Sequence, residues 1–226
     1  MNYIFQLQAP LAPEVMDALL AQGFYRMRQT VFTTTATIAD DGRMIAVLWA
    51  RILLDGFQPG NRHKELTRRC RRFDCTLQDA VVNDEIEELF AFYSRNVNFE
   101  APETVKAFLM GESTENYFPA KMWQVRDQGK LIAAGYFDEG IESAAGILNF
   151  YHPDYRRFSL GKWLYLESVR HAAETGKQYF YPGYIGLDFP KFDYKLLAGK
   201  ERMELWDIVD AAWYPYMDSI HAQQSS

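Results

Sequence analysis

The chain has 226 residues, of which 48% are hydrophobic, 24% charged and 15% aromatic, enough to bury one large core or two small ones. A net charge of −6 and a pI near 5.3 exclude a surface built for general adhesion to DNA or anionic membrane, leaving room for a local basic patch that meets RNA. The opening "MNYIFQLQAPLAP" has no basic segment followed by an apolar one, and no apolar run nears the ~20 residues of a membrane span. No signal peptide and no membrane partner are expected. The two cysteines, Cys70 and Cys75, read as reduced thiols of a cytoplasmic protein. Even with His63 they fall short of the roughly four ligands of a structural zinc, so no metal is expected.

Pro13 stands at a first helical position, and Met16, Leu19 and Leu20 follow at helical spacing until Gly23. Residues 29–38, "QTVFTTTATI", are rich in β-branched side chains and predict one strand. An Asp41-Gly42 turn leads to a second strand, "MIAVLWARILL". A basic helix is expected from Asn61 to Phe73, then a short strand in "TLQDAVV". Asn83 or Asp84 caps a helix with Ile86, Leu89, Phe90 and Tyr93 on one face. Pro102 starts a short helix ending at Gly111, and "GESTENYFPA" is a loop that holds a domain boundary.

The second half predicts a meander, "MWQVRDQGKLIAAGYFD" then "SAAGILNFYH", turned at Asp127-Gln128-Gly129 and Glu139-Gly140. A helix from Leu160 to about Thr175 places Tyr165, Leu166, Val169, Ala172 and Ala173 on its apolar face. Glu167, Arg170, His171 and Glu174 fall on the other. Gly176 ends it, and "QYFYPGYI" is a strand interrupted at Pro182. The order predicts an α+β fold with a mixed, mainly antiparallel sheet in residues 113–226, preceded by a smaller α/β region in 1–112.

The stretch "NFYHPDYRRFSLGKW" joins strand to helix through two arginines and a glycine. Ser159 is placed to cap the helix, and the first-turn amides beyond it are free to meet an anion. The helix dipole adds about half a positive charge there, and Arg156 and Arg157 add two more. Gly161 removes a β-carbon from the approach to the backbone. The spacing Arg156-x-x-Ser159-x-Gly161 resembles the Arg/Gln-x-x-Gly-x-Gly/Ala loop of the GNAT acyltransferases, with serine where glycine is usual. In that superfamily the loop holds the pyrophosphate of coenzyme A.

A wider resemblance spans residues 120–200. Tyr151, Pro153 and Asp154, then Ser159, Leu160 and Gly161, then Tyr181, Gly183 and Tyr184, then Tyr194 and Lys195 resemble the C-terminal domain of the arginyl-tRNA–protein transferases. The bacterial aspartate/glutamate leucyltransferases are similar too. Upstream, "LLAQGFYR" and "LWARILLDGF" are similar to the family's N-terminal half. The resemblance implies a GNAT-like fold and transfer of an amino acid from aminoacyl-tRNA to a protein N-terminus, with no tightly bound cofactor. The family's N-terminal region carries a cysteine cluster; here the corresponding segment is "VFTTTATIADDGR".

Such a transfer starts from an activated ester, so positioning supplies much of the rate, with a base for the amine and donors for the oxyanion. Tyr181, Tyr184 and Asp154 are the candidate catalytic groups, with His152 and Asp188 as other bases. Arg156, Arg157, Ser159, Leu160, Gly161 and Lys195 are the candidate donor site. Arg68, Arg69, Arg71 and Arg72 of the basic helix are candidates for contact with RNA. Acetyl-CoA-dependent acetylation of a small amine or peptide has the same needs and is the second reading. The third is a non-catalytic relative that binds tRNA or protein. No Walker loop, H-E-x-x-H, G-x-S-x-G or Rossmann fingerprint is present.

Overall fold

The computed structural model describes residues 3–39, 41–97, 102–186 and 189–217. The chain begins with β1 (Tyr3–Gln6), α1 (Pro13–Ala21), β2 (Tyr25–Met27) and β3 (Thr30–Thr33). The three strands form a small sheet in the order β1-β3-β2, and β1 was not foreseen in the pattern. The single strand predicted over 29–38 is two strands. After β3 the chain breaks, and β4 (Ala36–Ile38) pairs with β5 (Met44–Leu53). Thr34 causes the break: its hydroxyl donates to Ala36 O at 2.7 Å and accepts from Ala36 N at 3.2 Å, in place of ladder bonds.

Next come α2 (Asn61–Cys70), β6 (Asp74–Asp79), α3 (Asp84–Ser94) and α4 (Val105–Met110). Asn83 caps α3, accepting from Ile86 N at 3.0 Å. The helix predicted from Pro102 starts instead at Val105, because Thr104 provides the cap by accepting from Ala107 N at 2.9 Å. The meander follows as β7 (Ala120–Asp127), β8 (Lys130–Glu139) and β9 (Ser143–Tyr151). A 3-10 helix, Pro153–Phe158, leads into α5 (Leu160–Glu174) and β10 (Tyr179–Gly186). A second 3-10 helix (Pro190–Ala198), β11 (Met203–Asp207) and β12 (Ala212–Pro215) complete the described chain.

The main sheet runs β12-β11-β5-β10-β9-β8-β7-β6, with β4 attached to β5. Among the described strands only β9 and β10 pair in parallel, so the sheet is mixed and mainly antiparallel, as the pattern predicts. The boundary expected near residue 112 does not divide it. From the first part, β5 lies between β10 and β11, and β6 forms the edge on β7. The reason is pairing: β5 is long enough to meet β4, β10 and β11 along its length.

Alternation along β8 sends Ala133 and Phe137 to one face and Ala134 and Tyr136 to the other. Leu66 and Cys70 of α2 and Trp163, Leu164 and Val169 of α5 cover the first face. Ile86 and Phe90 of α3 and Val105 and Leu109 of α4 cover the second. Burial pushes the Cys70 thiol up to about 11 and Cys75 to about 12, which leaves both as unreactive thiols. Among the described residues no cluster of three or more His, Cys, Asp or Glu could hold a metal. No helix among them is long and apolar enough to cross a membrane.

Glu167 corrects the helical-face reading: it is 4% exposed, because α2 lies over that side of α5. Its Oε1 accepts from Trp163 Nε1 at 2.9 Å and Thr67 Oγ1 at 3.1 Å and faces His63 Nε2 at 2.9 Å. Arg170 donates to Oε2. Burial alone would raise this carboxyl, but the bonds from His63 and Arg170 outweigh it and hold the group at about 2. The folded value lies below the unfolded one, so the stabilisation is complete above about pH 4.5 and is lost as pH falls toward 2. Urea denaturation across pH 5 to 2.5 should show a loss of about 2 kcal/mol through this group. Glu167→Gln should flatten that part of the curve.

Candidate active site

The parallel pairing of β9 with β10 covers only Ser143–Ala145 against Tyr179–Tyr181. Pro182 then removes a donor from the ladder, and Gly183, at φ 86°, turns β10 through a bulge toward β5. The two strands part. A cavity of about 1500 Å³ fills the gap, walled by Gly146–Asn149 on one side and Pro182–Tyr184 on the other. The β2–β3 hairpin, the end of α4, the start of α5 and the Lys191–Lys195 region close the remaining sides.

The strand-to-helix turn is one wall. Ser159 precedes α5 in the left-handed region, at φ 55° and ψ 43°, and its side chain makes no cap bond. This overturns the expected serine cap: the backbone conformation that glycine favours directs the hydroxyl elsewhere. It also accounts for glycine being usual at this place in the loop that the segment resembles. The first helical bond is Trp163 N to Ser159 O at 3.1 Å, so the amides of Leu160, Gly161 and Lys162 lack partners within α5. Arg156, Ser159, Gly161 and Lys162 line the cavity, and Arg156 makes no ion pair among the described residues. The turn thus presents amides without helical partners and positive charge to the cavity.

The other predicted residues divide. Tyr184 and Lys195 line the cavity. Tyr181 does not: it is 1% exposed, packed in the cluster of Tyr25, Trp49 and Trp206, and burial pushes its phenol to about 12. Asp154 is exposed, 3.7 Å from His152, and stands outside the lining. Arg157 lies over the Phe158 ring at 4.9 Å and is not among the residues that line the cavity. Leu160 is buried in the core beneath α5 and offers its amide, not its side chain. Asp188 lies outside the described residues. α2 ends at Cys70, short of the expected Phe73, so Arg71 and Arg72 follow it. Arg62 and Arg69 on α2 both pair with Glu65, and Arg72 beyond it lies 3.7 Å from Asp127. Arg68 and Arg71 are exposed with no ion pair among the described residues. Arg69 also donates to Arg157 O at 3.3 Å, which ties α2 to the turn.

Sequence reasoning missed the wall made by the N-terminal hairpin. Arg26 donates to Asp138 Oδ1 at 2.7 Å, Leu109 O at 2.6 Å, Asn116 Oδ1 at 2.7 Å and Arg28 O at 3.0 Å. Its side chain is 3% exposed and that of Asp138 2%. The pair pins the small sheet to β8, and both residues line the cavity. Arg28, at φ 59° on the hairpin turn, and Asn149 on β9 also line it. The spacing "YRMRQT" signals a hairpin only once its strands are known to be short. Lys195, foreseen, sits in an unforeseen environment: it is 7% exposed, and Nζ donates to Tyr184 O at 2.6 Å. Burial depresses its ammonium to about 7.

An open strand pair, bare amides beside cations and a largely apolar hollow suit the holding of an acyl ester against an amine, which is acyltransferase architecture. The sequence pattern described as arginine-tRNA–protein transferase, C terminus, matches residues 85–201, just over half of the chain. The chain belongs to that family and is an aminoacyltransferase. An aspartate/glutamate leucyltransferase of Leptospira interrogans is 28% identical over 199 residues, covering 84% of this chain and 74% of that protein. One from Shewanella amazonensis is 27% identical over 188 residues, covering 79% and 74%. Among solved structures, FemX is similar at 11% identity with a TM-score of 0.47, covering 82% of this chain and 65% of that one.

Proposed function

We propose that the protein transfers an apolar amino acid, of leucine type, from its tRNA ester to the N-terminal amine of a protein. The observation that carries the choice of amino acid is the cavity lining. Leu11, Met16, Leu20, Phe24, Phe32 and Leu148 contribute to it, and its buried carboxylate among the described residues, Asp138, is committed to Arg26. An arginyl group would enter without a buried counter-ion, which costs several kcal/mol. The similarity to proteins named aspartate/glutamate leucyltransferases supports the same donor. It also supports an acceptor with an acidic first residue, for which Arg28 at the cavity wall is the matching cation.

In this reading the terminal phosphate of the tRNA rests on the Leu160–Lys162 amides with Arg156, and the acceptor stem passes over Arg68 and Arg71. The open amides and the exposed cations support it. Incubation with pooled aminoacyl-tRNAs and a peptide library, followed by weighing of the peptides, tests the whole reading. The expected result is a leucine-mass adduct on peptides with acidic N-termini. An arginine adduct refutes the donor, and an acetyl adduct seen only with acetyl-CoA refutes the reaction. In the tRNA binding isotherm, Arg68→Ala and Arg71→Ala should each reduce the salt slope by about 0.7–0.9.

A further inference from the structure

The proposed transfer leaves a proton unaccounted for. An N-terminal amine, with a pKa of about 7.7–8.0, arrives largely as an ammonium without a lone pair. Among the described residues the cavity wall offers few acceptors for that proton. Asp138 is held by Arg26, Glu112 is open to water, and no histidine lines the wall. Lys195 remains.

We infer that Lys195 Nζ is the base for this reaction, taking a proton from the acceptor ammonium and returning it to the departing ribose oxygen. The inference rests on the transfer reading. The geometry is that of a directed amine. One N–H is fixed on Tyr184 O at 2.6 Å, and Lys195 and Gly183 both line the cavity. A β-carbon at residue 183 would stand 3.2 Å from Nζ, so glycine keeps that side open. Rings of Phe192 and Tyr184 lie 5.0 and 5.2 Å from Nζ and keep it dry.

The groups around it do not hold it charged. From β10 comes Tyr184; from α5 comes Tyr165, whose hydroxyl donates to Lys195 O at 2.6 Å; and Tyr194 lies on its own segment. From α2, His63 faces Glu167, and from the following turn Arg202 donates to Asp55 O and Gly56 O. No described carboxylate contributes to its titration, and burial alone brings it to about 7, where a base serves best near neutral pH.

The step balances. The ammonium gives one proton to neutral Lys195, and its freed lone pair forms the C–N bond to the ester carbonyl. The tetrahedral adduct then breaks its C–O bond to ribose, whose oxygen takes the proton back from Lys195. The second amine proton leaves to water, giving an amide, a free ribose hydroxyl and one released proton.

The test joins two readouts on the full chain. NMR titration of 13Cε-labelled lysine, with Lys195→Arg for assignment, should find one lysine titrating near 7. The rate of transfer to a peptide should rise to a plateau around that pH. Lys195→Arg should fold and lose roughly 10²–10⁴-fold in kcat, with that pH limb gone. Lys195→Ala should regain part of its activity with added ethylamine. An ordinary titration above about 9.5, or a pH profile unchanged in Lys195→Arg, overturns the base while leaving transfer intact. A wild type that transfers nothing sinks the reaction and this role together.

Discussion

Arg26→Leu should destabilise the protein by about 3–5 kcal/mol, the cost of leaving one member of a buried ion pair alone. Asp138 would remain on β8 at 2% side-chain exposure without its cation. Leu109 O and Asn116 Oδ1 would exchange their guanidinium bonds of 2.6 and 2.7 Å for only the longer ones from Gln29 Nε2 at 3.4 Å and Phe118 N at 3.3 Å. Burial already pushes the Asp138 carboxyl up, against the opposing pull of Arg26. In the variant that upward push is unopposed. A raised folded value means stability present at low pH and lost as pH rises, so the variant should be weakest above neutrality. Arg26→Leu with Asp138→Leu should recover part of the loss, though not all, because the guanidinium bonds to Leu109 O, Asn116 Oδ1 and Arg28 O stay lost. Urea denaturation of both variants at pH 5 and 8 checks this. A single variant within 1 kcal/mol of wild type would show that the hairpin is not held by the pair.

Gly161→Val should weaken the donor by about 10–100-fold, the equivalent of about 1.5–3 kcal/mol for hydrogen bonds to a charged group. Residue 161 lies in the first turn of α5 and lines the cavity. A β-carbon there would already stand 3.4 Å from the Tyr151 ring, and the two further methyls of valine fill the space over the bare amides. The helix itself gains from the loss of glycine, so the melting temperature should move little. Arg156→Ala should lower affinity by a smaller factor, and Arg157→Ala less again, since Arg157 lies over Phe158. Donor KM measured in the transfer assay separates the three. An unchanged KM in Gly161→Val removes the turn from the donor site.

The pattern of residues carried the central meander and its helix. Alternation in β7 to β9, glycines at the hairpin turns and the Leu160–Glu174 periodicity are local signals, and each matches an observed element. Ser159 and Gly161 were legible as a turn because a short stretch carries both their identity and their spacing. Elsewhere the local signal misled. Thr34 bonds to Ala36 and splits a run of β-branched residues that reads as one strand. Glu167 reads as solvent-facing because its helix neighbours are charged, yet α2 covers it. Tyr181 and Tyr184 read alike, but a bulge between Phe180 and Gly183 sends one into the core and leaves the other at the cavity.

What residue order determined by itself is therefore the family, the antiparallel meander and the strand-turn-helix unit with its glycine, since each is carried by residues within a few dozen positions, whereas β5 reaches β10 and β11 only in the fold. Only the tertiary structure decided which face of each element meets water. It set Arg26 against Asp138 across 112 positions and left Lys195 dry beside Tyr184. The physical reason is that burial and charge pairing belong to neighbours distant along the chain, and these alone change a lysine from a surface cation into a group that titrates near 7.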